Sequence, residues 1–389
     1  MRVAKKYGRV LFAVMFLTLV FTKNVWADDV PPEETVSGSA ITEAEVPEET
    51  VSGTEIIQKE ESVETVPEPE VIKKPKAAIS HKQLQLKVKK TKKLSVSHYD
   101  GKIKWSSSKK AVAKVSKNGL VTALSAGDTV IIAQAGKKKL KCKVRVVEST
   151  RYINKWVEKK GRVYYYGKYG TKCVGKKKID GKDYFFDSEG RQRVGWVKSK
   201  GKYYYYNIGK KAKGYRAVST NVNGIPLDKN GEAKLTDTTR DKADYLVAAN
   251  EICFDYVNFN MTKTEALKKM YTLMAKGEII SYYNYGDFKY SENWDQYYAS
   301  YYFNRGIGDC YTTGCAFAYI ATALGYKEVY AESSGGHGWC RIGDKYYDPN
   351  WASWGAQDIY DGFAATEAKS GKDGRVNWMR ACKYSKKVS

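Results

Sequence analysis

Residues 305–326 read RGIGDCYTTGCAFAYIATALGY. Two glycines and an aspartate precede Cys310, and Ala316, Phe317, Ile320, Ala321 and Leu324 follow at helical spacing. The pattern predicts a helix that begins at Cys310 and buries one stripe. A thiol at a helix start lies beside orphan N–H groups and the positive end of the helix dipole, which together favour a thiolate. Taken alone, Cys310 fits a small buried hydrophobe as well as a nucleophile. Its neighbourhood in the chain decides between them.

Upstream, DTTRDKADYLVAANEICFDYV (237–257) is amphipathic at helical spacing. MTKTEALKKMYTLMAKG (261–277) carries a capping box at Thr262 and Glu265 and a stop at Gly277. An aromatic stretch, NWDQYYASYYFNRGIGDC, then leads to Cys310. Downstream, EVYAES, GHGWCRIG and KYYDPNW read as strands. The expected fold of residues 236–389 is α+β, a helix packed on an antiparallel sheet.

A nucleophilic cysteine needs a base, normally a histidine oriented by a carboxylate or amide. His337 is the one histidine of this region, and Asp348 follows eleven residues later. Read as a hairpin turning at Gly343-Asp344, the segment brings His337 and Asp348 side by side. Cys315 falls inside the apolar helix, and Cys340 lies on the opposite face of the strand from His337. Both read as core residues. Cys253 and Cys382 are compatible with pairing or with free thiols.

Gly-Asp-Cys at 308–310, Gly-His-Gly-Trp at 336–339 and Tyr-Asp-Pro-Asn-Trp at 347–351 together resemble the transglutaminase-like superfamily, with its papain-like Cys-His-Asp arrangement. The matching motifs lie within 300–352, and the resemblance extends over 236–389. It implies Cys310 as nucleophile, His337 as general base and Asp348 as the carboxylate orienting His337. It also implies an acyl-enzyme mechanism on amide bonds, with the oxyanion against the Cys310 N–H and a side-chain donor such as Asn304 or Trp294. Hydrolysis is the favoured outcome. Transamidation remains an alternative that an aromatic tunnel from residues 294–303 would support, and a third is a non-catalytic adhesin or wall-binding protein.

Residues 77–148 alternate with period two between turn signals at Asn118-Gly119 and Ala135-Gly136, which predicts a small β-sandwich. The run from Trp105 through Ser106–Ser108, Val112, Val115, Asn118, Gly119, Leu120, Val121, Ala126 and Gly127 closely resembles bacterial immunoglobulin-like domains of group 2. That resemblance implies a spacer or adhesion module. Residues 152–232 repeat at about 20 residues, with Gly161, Gly181 and Gly201 in register and a worn fourth copy at NGIPLDKNG. Each unit reads as a hairpin that must stack on its neighbours, giving a β-hairpin solenoid. The array is similar to cell-wall-binding repeats of Gram-positive surface proteins, related to choline-binding repeats. Trp156, Tyr164, Tyr165, Tyr184, Phe185, Trp196, Tyr204 and Tyr205 are the candidate wall-binding residues. Tryptophan recurs only in every second repeat, with Lys176 between, which speaks against choline itself, and the positive charge suits teichoic acid phosphates or another anionic wall glycan better.

The net charge of +24 is unevenly spread. Residues 28–70 carry 14 acidic groups against Lys59, residues 71–220 carry 41 Lys and Arg against 8 acids, and residues 221–389 are nearly neutral. Arg2, Lys5, Lys6 and Arg9, an apolar run of about 12 residues and Ala27 form a signal-peptide pattern over 1–27. Residues 28–76 twice contain PEETVSG and read as a disordered acidic spacer. The expected setting is therefore extracellular, non-covalently bound to the wall, with no transmembrane segment in the mature chain. Anionic wall polymers are likelier partners there than nucleic acid. Seven scattered cysteines and three histidines make no zinc motif, and no nucleotide or calcium loop occurs, so no cofactor and no metal are expected.

Overall fold

The structure is a computed structural model that describes residues 75–284, 286–353, 358, 360–365 and 382–389. The signal peptide expected at 1–27 and nearly all of the acidic spacer expected at 28–76 lie outside the described residues. Residues 77–389 form one compact unit.

Alternation along Lys138–Val147 turns Cys142, Val144 and Val146 inward and Lys141, Lys143 and Arg145 outward. This strand pairs with Gly127–Ala135 on one side and, in parallel, with Gln83–Lys87 on the other; Ile103–Ser107 completes a four-stranded sheet. A three-stranded sheet of Thr91–Lys93, Leu120–Ala123 and Ala113–Val115 provides the second layer. Leu86, Leu94, Val121, Ile131, Cys142 and Val144 fill the space between. This is the expected sandwich.

The repeats are hairpins in a shared register. Trp156 faces Tyr165, Lys176 faces Phe185 and Trp196 faces Tyr205. Their two-residue turns are Lys160-Gly161, Asp180-Gly181 and Lys200-Gly201, and all six residues have positive φ. That is the mirror-image turn whose twist matches a hairpin, and glycine takes the second position without strain. The worn fourth copy is a short hairpin of Asn221–Val222 and Ile225–Pro226.

Five helices follow among the described residues: α1 (Asp237–Tyr256), α2 (Lys263–Ala275), α3 (Trp294–Arg305), α4 (Cys310–Ala323) and α5 (Pro349–Ser353). The aromatic stretch before Cys310 thus forms a helix, ended by Gly306 in the left-handed region. Five strands, β1 (Val329–Ser333), β2 (Gly338–Ile342), β3 (Lys345–Tyr347), β4 (Phe363–Ala365) and β5 (Tyr384–Lys387), make an antiparallel sheet in the order β4-β3-β2-β1-β5. The Gly343-Asp344 turn joins β2 to β3. From Tyr311 to Ala323, α4 is buried on all faces rather than on one stripe. The other helices enclose it against the sheet, so polar-sided positions such as Thr312 and Thr322 are covered as well.

The third repeat does not stop at the helices. Trp196, Tyr203, Ala217, Ile225 and Leu227 share one core with α1, α2 and α4. Buried Asn250 of α1 donates to the carbonyls of Val194 (2.7 Å) and Trp196 (3.2 Å). Arg193, Arg162 and Arg191 lie 3.9, 4.4 and 5.0 Å from the centre of the Phe254 ring, and Arg193 is paired with Glu251 at 2.5 Å. Stacked guanidinium groups on an aromatic face bind it through both charge and area.

Candidate active site

Asp309 caps α4, its Oδ1 accepting from the Thr312 N–H at 3.0 Å, and Cys310 is the first helical residue. Two glycines let this helix start lie directly on β2. A Cβ added at Gly314, one turn into α4, would come within 2.7 Å of the Trp339 backbone. A Cβ at Gly338 would come within 2.8 Å of the Tyr311 Cα. Real Cβ atoms do not approach backbone so closely, so the contact exists only because both positions lack one.

His337 stands immediately before β2. The turn that carries it is held by the Ser334 Oγ accepting from the His337 N–H (3.2 Å), by the Ser334 N–H donating to the His337 carbonyl (3.0 Å), and by the Tyr311 hydroxyl donating to the Gly335 carbonyl (3.2 Å). Asp348 ends β3. Cys340 pairs with Tyr347 in the β2–β3 register, so Asp348 falls beside the start of β2. His337 Nε2 and Asp348 Oδ2 are 2.5 Å apart.

Asp348 is itself fixed on every side. Its Oδ1 accepts from the Trp351 N–H (3.0 Å), its N–H donates to the Gly362 carbonyl (2.8 Å), and its carbonyl accepts from the Tyr271 hydroxyl (3.0 Å). The aspartate followed by Pro349 is the favoured way to start a helix, here α5. Asp348 is 1 % exposed.

Asp348 engages Nε2, and the Cys310 side chain hydrogen-bonds to the same imidazole. Burial alone would lower the His337 pKa. The Asp348 charge and hydrogen bond, reinforced by Cys310, outweigh it and push the imidazole up to about 10. His337 is thus held as an imidazolium at neutral pH. Burial pushes the thiols of Cys142, Cys173, Cys253, Cys315, Cys340 and Cys382 upward. All seven cysteines are free, and Cys315 and Cys340 are buried as their spacing expects.

Cys310 and His337 open onto a cavity of about 590 Å³. Its walls include Trp351 of the Tyr-Asp-Pro-Asn-Trp motif and also Tyr282, Tyr283 and Asp287, which no sequence motif marks. The strap carrying the last three is aligned by the pairing of Ser281–Tyr282 with Ile307–Gly308, just ahead of Cys310. Neither oxyanion candidate lines the cavity. Trp294 is buried, and Asn304 is exposed and hydrogen-bonded to Tyr245. Residues 294–303 contribute nothing to its walls, since Trp294, Tyr298, Tyr302 and Phe303 pack into the core.

The candidate wall-binding aromatics separate into two groups. Trp156 packs on Tyr165, Tyr184 and Phe186 with ring centres 4.9, 5.1 and 6.0 Å apart, and Trp156 and Tyr165 keep part of their surface. Tyr164, Phe185 and Tyr204 are half-buried, Tyr164 under Lys172 and Tyr204 under Lys176. Trp196, by contrast, is 1 % exposed, and its Nε1 donates to Asn223. Tyr205 packs on it, and burial pushes the Tyr205 hydroxyl up to about 12. The third hairpin has turned its aromatics to the helices.

Among the described residues no cluster of His, Cys, Asp or Glu could hold a metal ion, and no helix is long and apolar enough to cross a membrane.

Comparison with known proteins bears on the first two parts. The model of the bacterial Ig-like domain (group 2) matches residues 69–144, and that of the choline-binding repeat matches residues 173–220. Neither match reaches Cys310, His337 or Asp348. No curated protein matches the chain. Among solved structures, a choline-binding domain from Streptococcus pneumoniae is 31% identical, covering 21% of this chain and 93% of that one, with a TM-score of 0.19. A termite-gut xylanase containing a bacterial Ig-like domain is 23% identical over 16% of this chain and 18% of its own, with a TM-score of 0.16. A phage Cp-1 endolysin is 21% identical over 22% of this chain and 25% of its own, with a TM-score of 0.17. The chain thus covers a quarter or less of the xylanase and of the endolysin. Residues 69–144 are thus similar to group 2 bacterial Ig-like domains and residues 173–220 to choline-binding repeats.

Proposed function

We propose that this chain is an exported, wall-bound protein whose C-terminal part is a thiol enzyme acting on amide bonds. The observation that carries the enzymatic reading is the meeting of Cys310 and His337 on one cavity, with buried Asp348 behind His337 and His337 hydrogen-bonded to both partners. The likeness of its three motifs to the transglutaminase-like superfamily supports it. The Ig-like domain and the choline-binding repeats support the wall-binding reading, with choline-bearing teichoic acid as ligand and the partly exposed Trp156 and Tyr165 as its nearest aromatic partners.

In the proposed reaction the Cys310 thiolate attacks the amide carbonyl carbon, and negative charge moves to the carbonyl oxygen beside the Cys310 N–H. His337 passes a ring proton to the leaving amine, the C–N bond breaks and a thioester remains. His337, now neutral, takes a proton from water as water attacks the thioester, and Cys310 is released. A primary amine in place of water would give transamidation. The cavity is open enough to admit water, so hydrolysis is the reading we favour.

The test is the rate at which a thiol-directed electrophile modifies the purified protein, wild type beside His337→Ala. The expected result is rapid modification confined to Cys310, slowed on the order of 10²-fold without His337, followed by release of amine from donor peptides. Slow modification of Cys310 that ignores His337 would favour a second reading, a non-catalytic surface protein. The observation behind that reading is that both matched families are binding or spacer modules.

A further inference from the structure

The four-stranded sheet of the Ig-like part presents one face to solvent. On its strand Lys138–Val147, Lys139, Lys141, Lys143 and Arg145 are all exposed and all lie on that face. Successive outward side chains are about 6.8 Å apart along a strand, twice the rise per residue. The row is not diluted by acids. Residues 77–148 hold 18 Lys and Arg against Asp100, Asp128 and Glu148. Lys139, Lys141 and Lys143 make no ion pair among the described residues. Asp128 lies on the face, but it is occupied by Arg145 at 3.0 Å, Lys168 at 3.4 Å and the Tyr169 hydroxyl at 3.1 Å. Through those contacts the row continues to Lys168 of the first hairpin.

We propose that this row is a docking track for a linear polyol phosphate, a chain of phosphodiesters joined by short alditols, and that it acts without the aromatic repeats. Three observations favour that ligand. A phosphodiester chain spaced by a three-carbon alditol repeats its charge at a distance comparable to the lysine spacing, so successive phosphates meet successive ammonium groups. Lysine is a compact point charge on a flexible stem, suited to phosphate without demanding bidentate geometry. The neighbours of the row, Gln83 and Gln85 on one side and Val130, Ile132 and Gln134 on the other, include no aromatic ring, and Trp105 packs inward. Single-stranded nucleic acid is held through base stacking on successive aromatic side chains, which the outward positions of these strands lack; Tyr169, from beyond the sheet, meets the face through its hydroxyl on Asp128. The Ig-like part is therefore a second anchor rather than a passive spacer.

The experiment titrates the intact chain with a synthetic oligo(glycerol phosphate) bearing no choline or amine, between about 50 and 200 mM salt. The variant Lys139→Gln/Lys141→Gln/Lys143→Gln should bind at least tenfold more weakly at the low-salt end. Its salt slope should fall by roughly 2, at ~0.7 per lost contact. A matched variant, Lys90→Gln/Lys92→Gln/Lys114→Gln, removes the same charge from exposed positions on or beside the three-stranded sheet and should stay close to wild type. An unchanged thermal midpoint in both variants shows that each remains folded. Equal losses in the two variants would reduce the effect to net charge and overturn the proposal, and so would wild-type binding by the first. Oligothymidylate of equal charge, run in parallel, should bind more weakly; equal or tighter binding would assign the face to nucleic acid instead. None of these outcomes depends on Cys310, so the track and the proposed enzyme stand or fall separately.

Discussion

Asp348 decides how His337 behaves. Its carboxylate holds the imidazole protonated up to about 10, well above the 6.5 of a free histidine. If the imidazolium delivers the proton to the leaving amine, acylation should hold across neutral pH and fall as pH rises through about 10. Asp348→Asn should move that fall toward 6.5, read from the pH profile of single-turnover acylation. The same shift has a stability consequence of fixed sign. A histidine whose folded value is raised stabilises the fold fully below pH 6.5 and loses that contribution as pH climbs through about 10. Melting curves of wild type and Asp348→Asn should therefore lie far apart at pH 6, by about 3 kcal/mol as for other broken buried pairs, and converge toward pH 10. The pairing of these two residues was legible because a two-residue turn fixes which positions face each other across a hairpin. The strap along the cavity was not legible. Tyr282, Tyr283 and Asp287 reach Cys310 only through a two-residue pairing, Ser281–Tyr282 with Ile307–Gly308, that has no periodicity to announce it.

At the scale of elements, the site depends on how closely α4 can approach β2. Gly314 in mid-helix costs about 1 kcal/mol relative to alanine on propensity alone, so its sequence reads as a weakness. Its reason is the Trp339 backbone, a neighbour 25 residues away in the chain and therefore invisible to local pattern. Gly314→Ala should destabilise the protein by about 1–3 kcal/mol through overpacking. It should also slow Cys310 labelling at temperatures where the variant is fully folded, because the helix start is pushed away from His337. Labelling at the wild-type rate would show that the approach is not what positions the thiol. In the repeats, period and register were plain from the spacing of glycines and aromatics, but not which hairpin keeps an open ring. Trp156 and Trp196 occupy equivalent places, and only the first retains exposed surface. Retention on a choline resin should accordingly drop with Trp156→Ala.

For the whole molecule, the boundary between repeats and helices that composition suggests near residue 235 is not a break in the core. Asn250 bonds to the backbone of the third hairpin, and Trp196, Tyr203, Ile225 and Leu227 lie among helical side chains. A chain beginning at residue 236 would leave that apolar surface bare and should aggregate or melt well below the intact protein. Calorimetry of the intact chain should show the third hairpin and helices melting as one transition, apart from the Ig-like sandwich with its separate core. Separate melting of a 236–389 fragment at the intact protein's temperature would refute this. Composition marks where residue usage changes, whereas a shared core is set by which surfaces meet, and only the fold brings them together. The shared core also ties the third hairpin to the cavity, and Arg162 and Arg191 on the Phe254 ring, with the Arg162 bond to the Val257 carbonyl, tie the first two hairpins to α1. A polymer strand gripped by the first two hairpins would hold the mouth beside Cys310 at one stand-off from the wall, like a tool on a rigid jig. Bonds at that height would be within reach, and bonds nearer or farther would not, whatever their chemistry.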